Sequence, residues 1–254
     1  MNAIETHGLR KAYGDFTAVD GIDLVVPRGS FYGFLGPNGA GKSTTIKCLT
    51  GLLRPTGGTF TLLDLNPLVD QIKVKRQVGV VPEDLALFDR LTGAETLSFV
   101  AQVHGIDRVE ARERSRELLA LMDLTKAAND LVADYSHGMR KKIALSAALL
   151  PAPRLLFLDE PLEGIDAIAS RQIKDLLSAY VRGGGTVFLT THILEIVERL
   201  CNHIGIIHKG RLVAQGSMAE LRAGGTTGQS LEERFMDIIG ASKTSSLAID
   251  WLAG

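Results

Sequence analysis

The sequence predicts an α/β fold: a phosphate-binding core on a mostly parallel sheet covered on both faces. Three observations carry that prediction. Four continuous apolar runs, Phe31–Leu35, Val78–Pro82, Leu155–Leu158 and Thr186–Thr190, are separated by helical patterns. Strands apolar on both sides belong in a parallel sheet buried on both faces. The first run leads into Gly36-Pro37-Asn38-Gly39-Ala40-Gly41-Lys42-Ser43-Thr44, the phosphate-loop spacing G-x-x-x-x-G-K-[ST]. The segment from Ser43 to Gly51 then reads as a helix closed by a glycine. Finally, the other three runs end on polar residues: Glu83, then Asp159 with Glu160, then Thr191 with His192. Ligands of such sheets sit outside the carboxyl ends of the strands, so these side chains should gather around whatever the loop holds.

Each part of the loop has a physical task. Glycines let consecutive backbone N–H groups curve around a polyphosphate, and the helix N-terminus adds partial positive charge. Lys42 is placed to reach the β- and γ-phosphates, and the Ser43 hydroxyl to hold Mg²⁺. Asp159 follows an apolar strand, as a carboxylate that binds Mg²⁺ through water does. Glu160 can take a proton from the attacking water, and His192 can bond the γ-phosphate. The other histidines, His7, His104, His137, His203 and His208, have no such position and are read as surface or structural.

A fifth run, Ile204–Ile207, turns at His208-Lys209-Gly210 into Arg211–Ala214 and reads as a hairpin. Residues 84–150 differ in texture. Thr92 and Glu95 have capping-box spacing. The charged stretch Arg108–Asp123 has Leu118, Leu119, Leu121 and Met122 as its apolar face. A helical insert between two strands of the core is expected. Within it, Asp134-Tyr135-Ser136-His137-Gly138-Met139 opens a further helix. The Ser136 hydroxyl, the Gly138 N–H and the helix dipole would make a second anion site. One nucleotide does not need two such sites in one chain, whereas two chains packed head to tail would use both.

The chain has 254 residues and a net charge of −1, with a pI near 6.6. That balance gives no basic excess and recommends no nucleic-acid partner. The first residues lack the positive end and apolar stretch of a signal peptide. No apolar run approaches the ~20 residues that span a bilayer, so any membrane association is expected through a partner. Cys48 and Cys201 sit in apolar segments and are expected as buried free thiols.

In this order and spacing the motifs resemble the ATP-binding subunit of an ABC transporter, over nearly the whole chain. Gly36–Thr44 matches its phosphate loop and Leu155–Glu160 the strand that follows with its acidic pair. Tyr135–Met139 matches the signature, Glu163–Asp166 the D-loop and His192 the switch histidine. The resemblance implies that Tyr13 stacks on adenine, although a strand-edge aromatic is the alternative. It implies that Glu83 stands at the Q-loop position, where the family carries glutamine, and that Asp166 takes part in the nucleotide-bound dimer. A carboxylate at Glu83 can bind Mg²⁺ more strongly than an amide. His137 replaces a family glycine, while the donors of Ser136 and Gly138 remain. The acidic Q-loop, the Tyr-Ser-His-Gly-Met signature and the tail from Ser230 to Phe235 resemble the ABC-2 type exporter branch, which includes drug, antibiotic and sodium efflux.

Pattern and resemblance together divide the chain into residues 1–216, the ATPase domain, and 217–254, a C-terminal extension. Within the first, residues 1–30 are expected as an antiparallel β subdomain. Residues 31–84 and 151–216 form the nucleotide core and 85–150 the helical subdomain, with a flexible link at Gly224–Gly228. The resemblance implies ATP and Mg²⁺ as cofactors, a separate membrane permease and a second copy of an ABC ATPase as partners. It also implies a cytoplasmic location, peripheral on the inner face of the membrane through the permease. A permease helix is expected near Phe88, where packing between subdomains is the alternative. Two other functions stay open: a non-transport ABC module on a soluble partner, and an unrelated phosphate-loop kinase, which has no use for Ser136–Gly138.

Overall fold

A computed structural model of the chain describes residues 1–223 and 231–238. Strands β1 (Asn2–Tyr13), β2 (Phe16–Ile22) and β3 (Val25–Pro27) precede β4 (Phe31–Leu35), which leads through the glycine loop into α1 (Lys42–Leu49). Next come β5 (Gly57–Leu62), α2 (Gln71–Lys75) and β6 (Val78–Val81). Helices α3 (Gly93–His104), α4 (Arg108–Leu121) and α5 (His137–Leu149) form one block. The chain returns through β7 (Leu155–Asp159), α6 (Ala167–Arg182), β8 (Thr186–Thr191), α7 (Leu194–Leu200), β9 (His203–His208) and β10 (Arg211–Ser217). Two short helices, α8 (Met218–Ala223) and α9 (Leu231–Ile238), follow.

The larger sheet has the order β10-β9-β4-β8-β7-β6. Its five strands from β9 to β6 are parallel, and only β10 is antiparallel, paired with β9 across the Lys209-Gly210 turn. Three of the four apolar runs, β4, β8 and β7, are therefore inner strands, while β6 closes the sheet as an edge. Their alternation splits the core in two. Tyr32, Phe34, Phe157 and Phe188 face one side, the first three each packing on Phe188 with ring centroids 5.3–5.6 Å away. Leu35, Leu156, Leu158, Val187 and Leu189 face the other side, toward the helical block. Gly33 lies where α7 crosses the sheet. A Cβ there would stand 2.9 Å from the Cys201 sulfur and 3.0 Å from Val197, so only glycine lets the helix seat.

The smaller sheet is antiparallel, with β1 pairing β2, β3 and β5. It draws β5 from residues 57–62 as well as strands from the first thirty residues. In the helical block, Thr92 and Glu95 form the reciprocal capping box at the start of α3. On α4, Leu119 and Met122 are buried as expected, but Leu121 is 60 % exposed. The helix ends at Leu121, so the apolar stripe narrows there and this side chain turns to solvent. Cys48 and Cys201 are free and buried, and burial pushes both thiols up. No helix among the described residues is long and apolar enough to cross a membrane. The expected link at Gly224–Gly228 and most of the C-terminal extension lie outside the described residues.

Candidate nucleotide-binding site

The register of the parallel strands brings the polar ends together. Leu35 pairs with Thr191, Asp159 with Thr190, and Val81 with Leu158. The phosphate loop, the Asp159-Glu160 pair, His192 and Glu83 thus leave adjacent strands at one level. An open cleft of about 340 Å³ lies there, lined by Asn38, Gly39, Gly41, Lys42, Ser43, Thr44, Glu83 and Glu160, with Phe16 and Ala18 from β2.

The loop is held from both flanks. The Gly36 N–H donates to the Thr191 carbonyl at 3.2 Å, and Gly210 in the β9–β10 turn donates to the Ala40 carbonyl at 2.9 Å. The Pro37 carbonyl accepts from Ala40 N–H inside the turn. Gly41 has φ +108°, and a Cβ there would lie 2.4 Å from the Ala18 carbonyl oxygen, so this position admits only glycine. Lys42 is buried. Its ammonium donates to the Gly36 carbonyl at 2.8 Å and the Pro37 carbonyl at 3.3 Å, and stands 3.3 Å from the Glu160 carboxylate.

Glu160 is the centre of the site's polar contacts. It is buried, with backbone in the left-handed region at φ 46°. A non-glycine residue there costs of order 1–2 kcal/mol and persists only where surroundings enforce it. Its N–H donates to the carbonyl and hydroxyl oxygens of Thr190. Its Oε1 lies 3.2 Å from His192 Nδ1, so the carboxylate links Lys42 to the histidine. Asp159, one residue earlier and also buried, accepts from the Thr190 hydroxyl at 2.5 Å. Glu163 adds a third ligating group within 4.8 Å of those of Glu160 and His192. Glu83 is exposed at the mouth. Its carboxyl is held above the usual range by partial burial first, then by Asp159, Glu160, Glu163 and Asp84. A concentration of hard oxygen donors whose charges repel one another is the donor set that Mg²⁺ takes. Ser43 and Glu83 line the cleft and offer oxygens of that kind, and Asp159 adjoins Glu160 at its wall.

Two sequence-predicted groups lie elsewhere. Ser136 caps α5, its oxygen accepting from Met139 N–H. Gly138 stands near Asp166, which caps α6. Neither Ser136 nor Gly138 lines the cleft of its own chain. The Asp166 carboxyl is held low, first by the Ala169 N–H. The His137 ring lies against Gly164. Tyr13 is exposed, with the Lys11 ammonium 4.9 Å over its ring. The cleft wall instead carries Phe16, its cross-strand partner, which is 65 % exposed. Sequence reasoning passed over Phe16, although its place three residues after Tyr13 across a hairpin was the available signal. It also passed over Thr190, which ties β8 to both acidic residues.

Residues 19–163 match the family described as ABC transporter. The daunorubicin/doxorubicin resistance ATP-binding protein DrrA of Streptomyces peucetius is 42 % identical over 87 % of this chain and 67 % of its own length. The linearmycin resistance ATP-binding protein LnrL of Bacillus subtilis is 38 % identical over 88 % of this chain and 73 % of its own. A solved ATP-binding subunit of an ABC transporter superposes with TM-score 0.87 at 31 % identity, over 93 % of this chain and 99 % of that one. A dimeric ATP-binding cassette in a post-hydrolysis state, bound to ADP and Pi, superposes with TM-score 0.78 at 25 % identity, over 85 % of this chain and 98 % of its own.

Proposed function

The chain belongs to the ABC transporter family, and we propose that it is the ATP-hydrolysing subunit of an ABC-2 type exporter, coupled to a permease carried on a separate chain. The observation that carries this is that the phosphate loop, Glu83 and Glu160 line one cleft, with His192 on the Glu160 carboxylate and Asp159 tied by Thr190 beside it. Its relatives' names, drug- and antibiotic-resistance ATP-binding proteins, support the exporter branch.

The chemistry follows from the contacts. A triphosphate entering the loop meets the N–H groups of residues 38–44 and the α1 N-terminus. Lys42 then exchanges the Gly36 and Pro37 carbonyls for phosphate oxygens and is drawn off Glu160. Ser43, Asp159 and Glu83 would hold Mg²⁺, which would supply neutralisation of phosphate charge. Glu160, relieved of its ammonium partner, accepts the proton of the attacking water. His192, donating from Nδ1 to Glu160, keeps that carboxylate oriented and leaves Nε2 for the nucleotide.

Ser136 and Gly138 cannot serve the cleft of their own chain, so they cap the ATP of a second copy, with Asp166 beside them. Two ATP molecules then join two chains head to tail. The permease docks elsewhere. A groove of about 270 Å³ runs between β6, the loop from Leu85 to Phe88, α3 and α5. Phe88 is 57 % exposed at its rim and packs edge-on against the half-exposed Phe99 at 5.3 Å. A partner helix would bury both, and that docking places the chain on the membrane surface. The test is ATP binding and turnover by the full chain beside Lys42→Ala. Both activities should be lost in the variant, and wild-type turnover there would overturn the reading.

A further inference from the structure

The charged stretch after the signature contains a lysine that is not on a solvated face. Lys141 lies in the second turn of α5 and is buried. Its ammonium donates to the Glu160 carbonyl at 2.9 Å and to the Glu163 carbonyl at 2.5 Å. These are the two ends of one turn, closed by the Glu163 N–H donating to the same Glu160 carbonyl at 3.3 Å. Glu160 is therefore gripped from both sides. Its carboxylate faces Lys42 and His192, and its carbonyl, turned the other way by the left-handed backbone, faces Lys141. A buried cation is unfavourable unless its donors are used. Burial pulls its pKa down, and Glu163, Glu160 and Glu83 push it up.

Resting on the ATPase reading above, we propose that Lys141 is a positioning residue that ties the Ser136-capped helix to the Glu160–Glu163 turn, so that seating the helix N-terminus on the partner's nucleotide sets the carboxylate of Glu160 in its own chain. Five residues, rather more than one helical turn, separate Ser136 from Lys141. Being helical, the segment transmits a displacement as a rigid element. The ammonium makes no contact with the loop that holds ATP, so its loss acts on the chemical step and spares binding.

The test is Lys141→Met in the full chain, which keeps the aliphatic stem and removes the donors, with Lys141→Gln and Lys141→Arg beside it. ATP affinity and the KM for ATP should stay within about twofold of wild type. Turnover should fall about 10²-fold, the scale of misplacing a catalytic group by an ångström. The variant should still form a dimer with ATP. Gln and Arg, which restore a donor, should recover part of the turnover. Unchanged turnover in Lys141→Met would overturn the proposal. So would a parallel loss of ATP affinity and melting temperature, or failure of all three variants to fold, since each assigns Lys141 to structure alone. A wild-type chain that does not hydrolyse ATP would instead sink the reading on which the proposal rests.

Discussion

Without nucleotide, the lysine of the phosphate loop and the proposed base are partners, and the strength of that pair is measurable. Lys42 Nζ and Glu160 Oε1 are 3.3 Å apart, with side chains 6 % and 5 % exposed. At an effective dielectric of ~20 this separation gives an attraction of about 5 kcal/mol. Desolvation of both ions takes back a large part. Lys42→Met leaves the buried Glu160 carboxylate with His192 as its remaining hydrogen-bond partner, and should cost about 3 kcal/mol. For a chain of this size that lowers the melting temperature by roughly 6–12 °C. Glu160→Gln strands the ammonium less severely, because the Gly36 and Pro37 carbonyls remain, and should cost about 1–2 kcal/mol. The double variant should then cost about 2 kcal/mol less than the sum of the single losses. The assay is urea or thermal unfolding of the nucleotide-free chain, followed by circular dichroism. Additivity within about 0.5 kcal/mol would show that the two groups do not interact, and the account of Lys42 being drawn off Glu160 by ATP would fall with it.

Three further outcomes follow from the same geometry. Phe88→Asp should leave ATPase activity of the isolated chain unchanged but release it from membranes of cells that express the permease; undiminished membrane association would count against the groove. Phe16 lines the cleft where Tyr13 does not, so Phe16→Ala should weaken ATP binding by roughly 10–100-fold, the range of one base–aromatic stack, while Tyr13→Ala does less; the reverse order, read by calorimetry, would assign the adenine stack to Tyr13. Cys48 and Cys201, buried with raised pKa values, should resist a thiol reagent at pH 8 in the folded chain and both react in denaturant; rapid labelling of either in the native state would contradict their burial.

The legible parts of the fold were those where one local rule decided the outcome. The inner strands β4, β7 and β8 are buried on both faces, so their apolar runs stood out. The phosphate loop showed itself by glycines whose backbone no other residue can adopt, Gly41 being the clearest. The hairpin β9–β10 and the capping box of α3 are likewise local. Strand β5 was less visible because Gly57 and Gly58 open it and only Phe60 and Leu62 are buried. Lys141 was hidden in Arg140-Lys141-Lys142, a run that reads as a solvated face until tertiary structure buries it. Its partners are backbone carbonyls some twenty residues away, and a carbonyl has no signature in sequence. The same holds for the left-handed backbone of Glu160, which a glutamate does not advertise. Leu121 erred in the other direction, a periodic apolar residue left outside the core because its helix stops there.

The most direct test of the central claim uses Glu160→Gln, which keeps size and shape but removes the base. Hydrolysis should fall by ~10²–10⁴-fold while ATP stays bound. Size-exclusion chromatography with light scattering should find this chain largely monomeric alone and dimeric with Mg-free ATP, because the triphosphate joins the loop of one copy to Ser136 and Gly138 of the other. A Glu160→Gln chain that binds ATP and remains monomeric would contradict the head-to-tail sandwich, and one that hydrolyses at the wild-type rate would remove Glu160 from the chemistry.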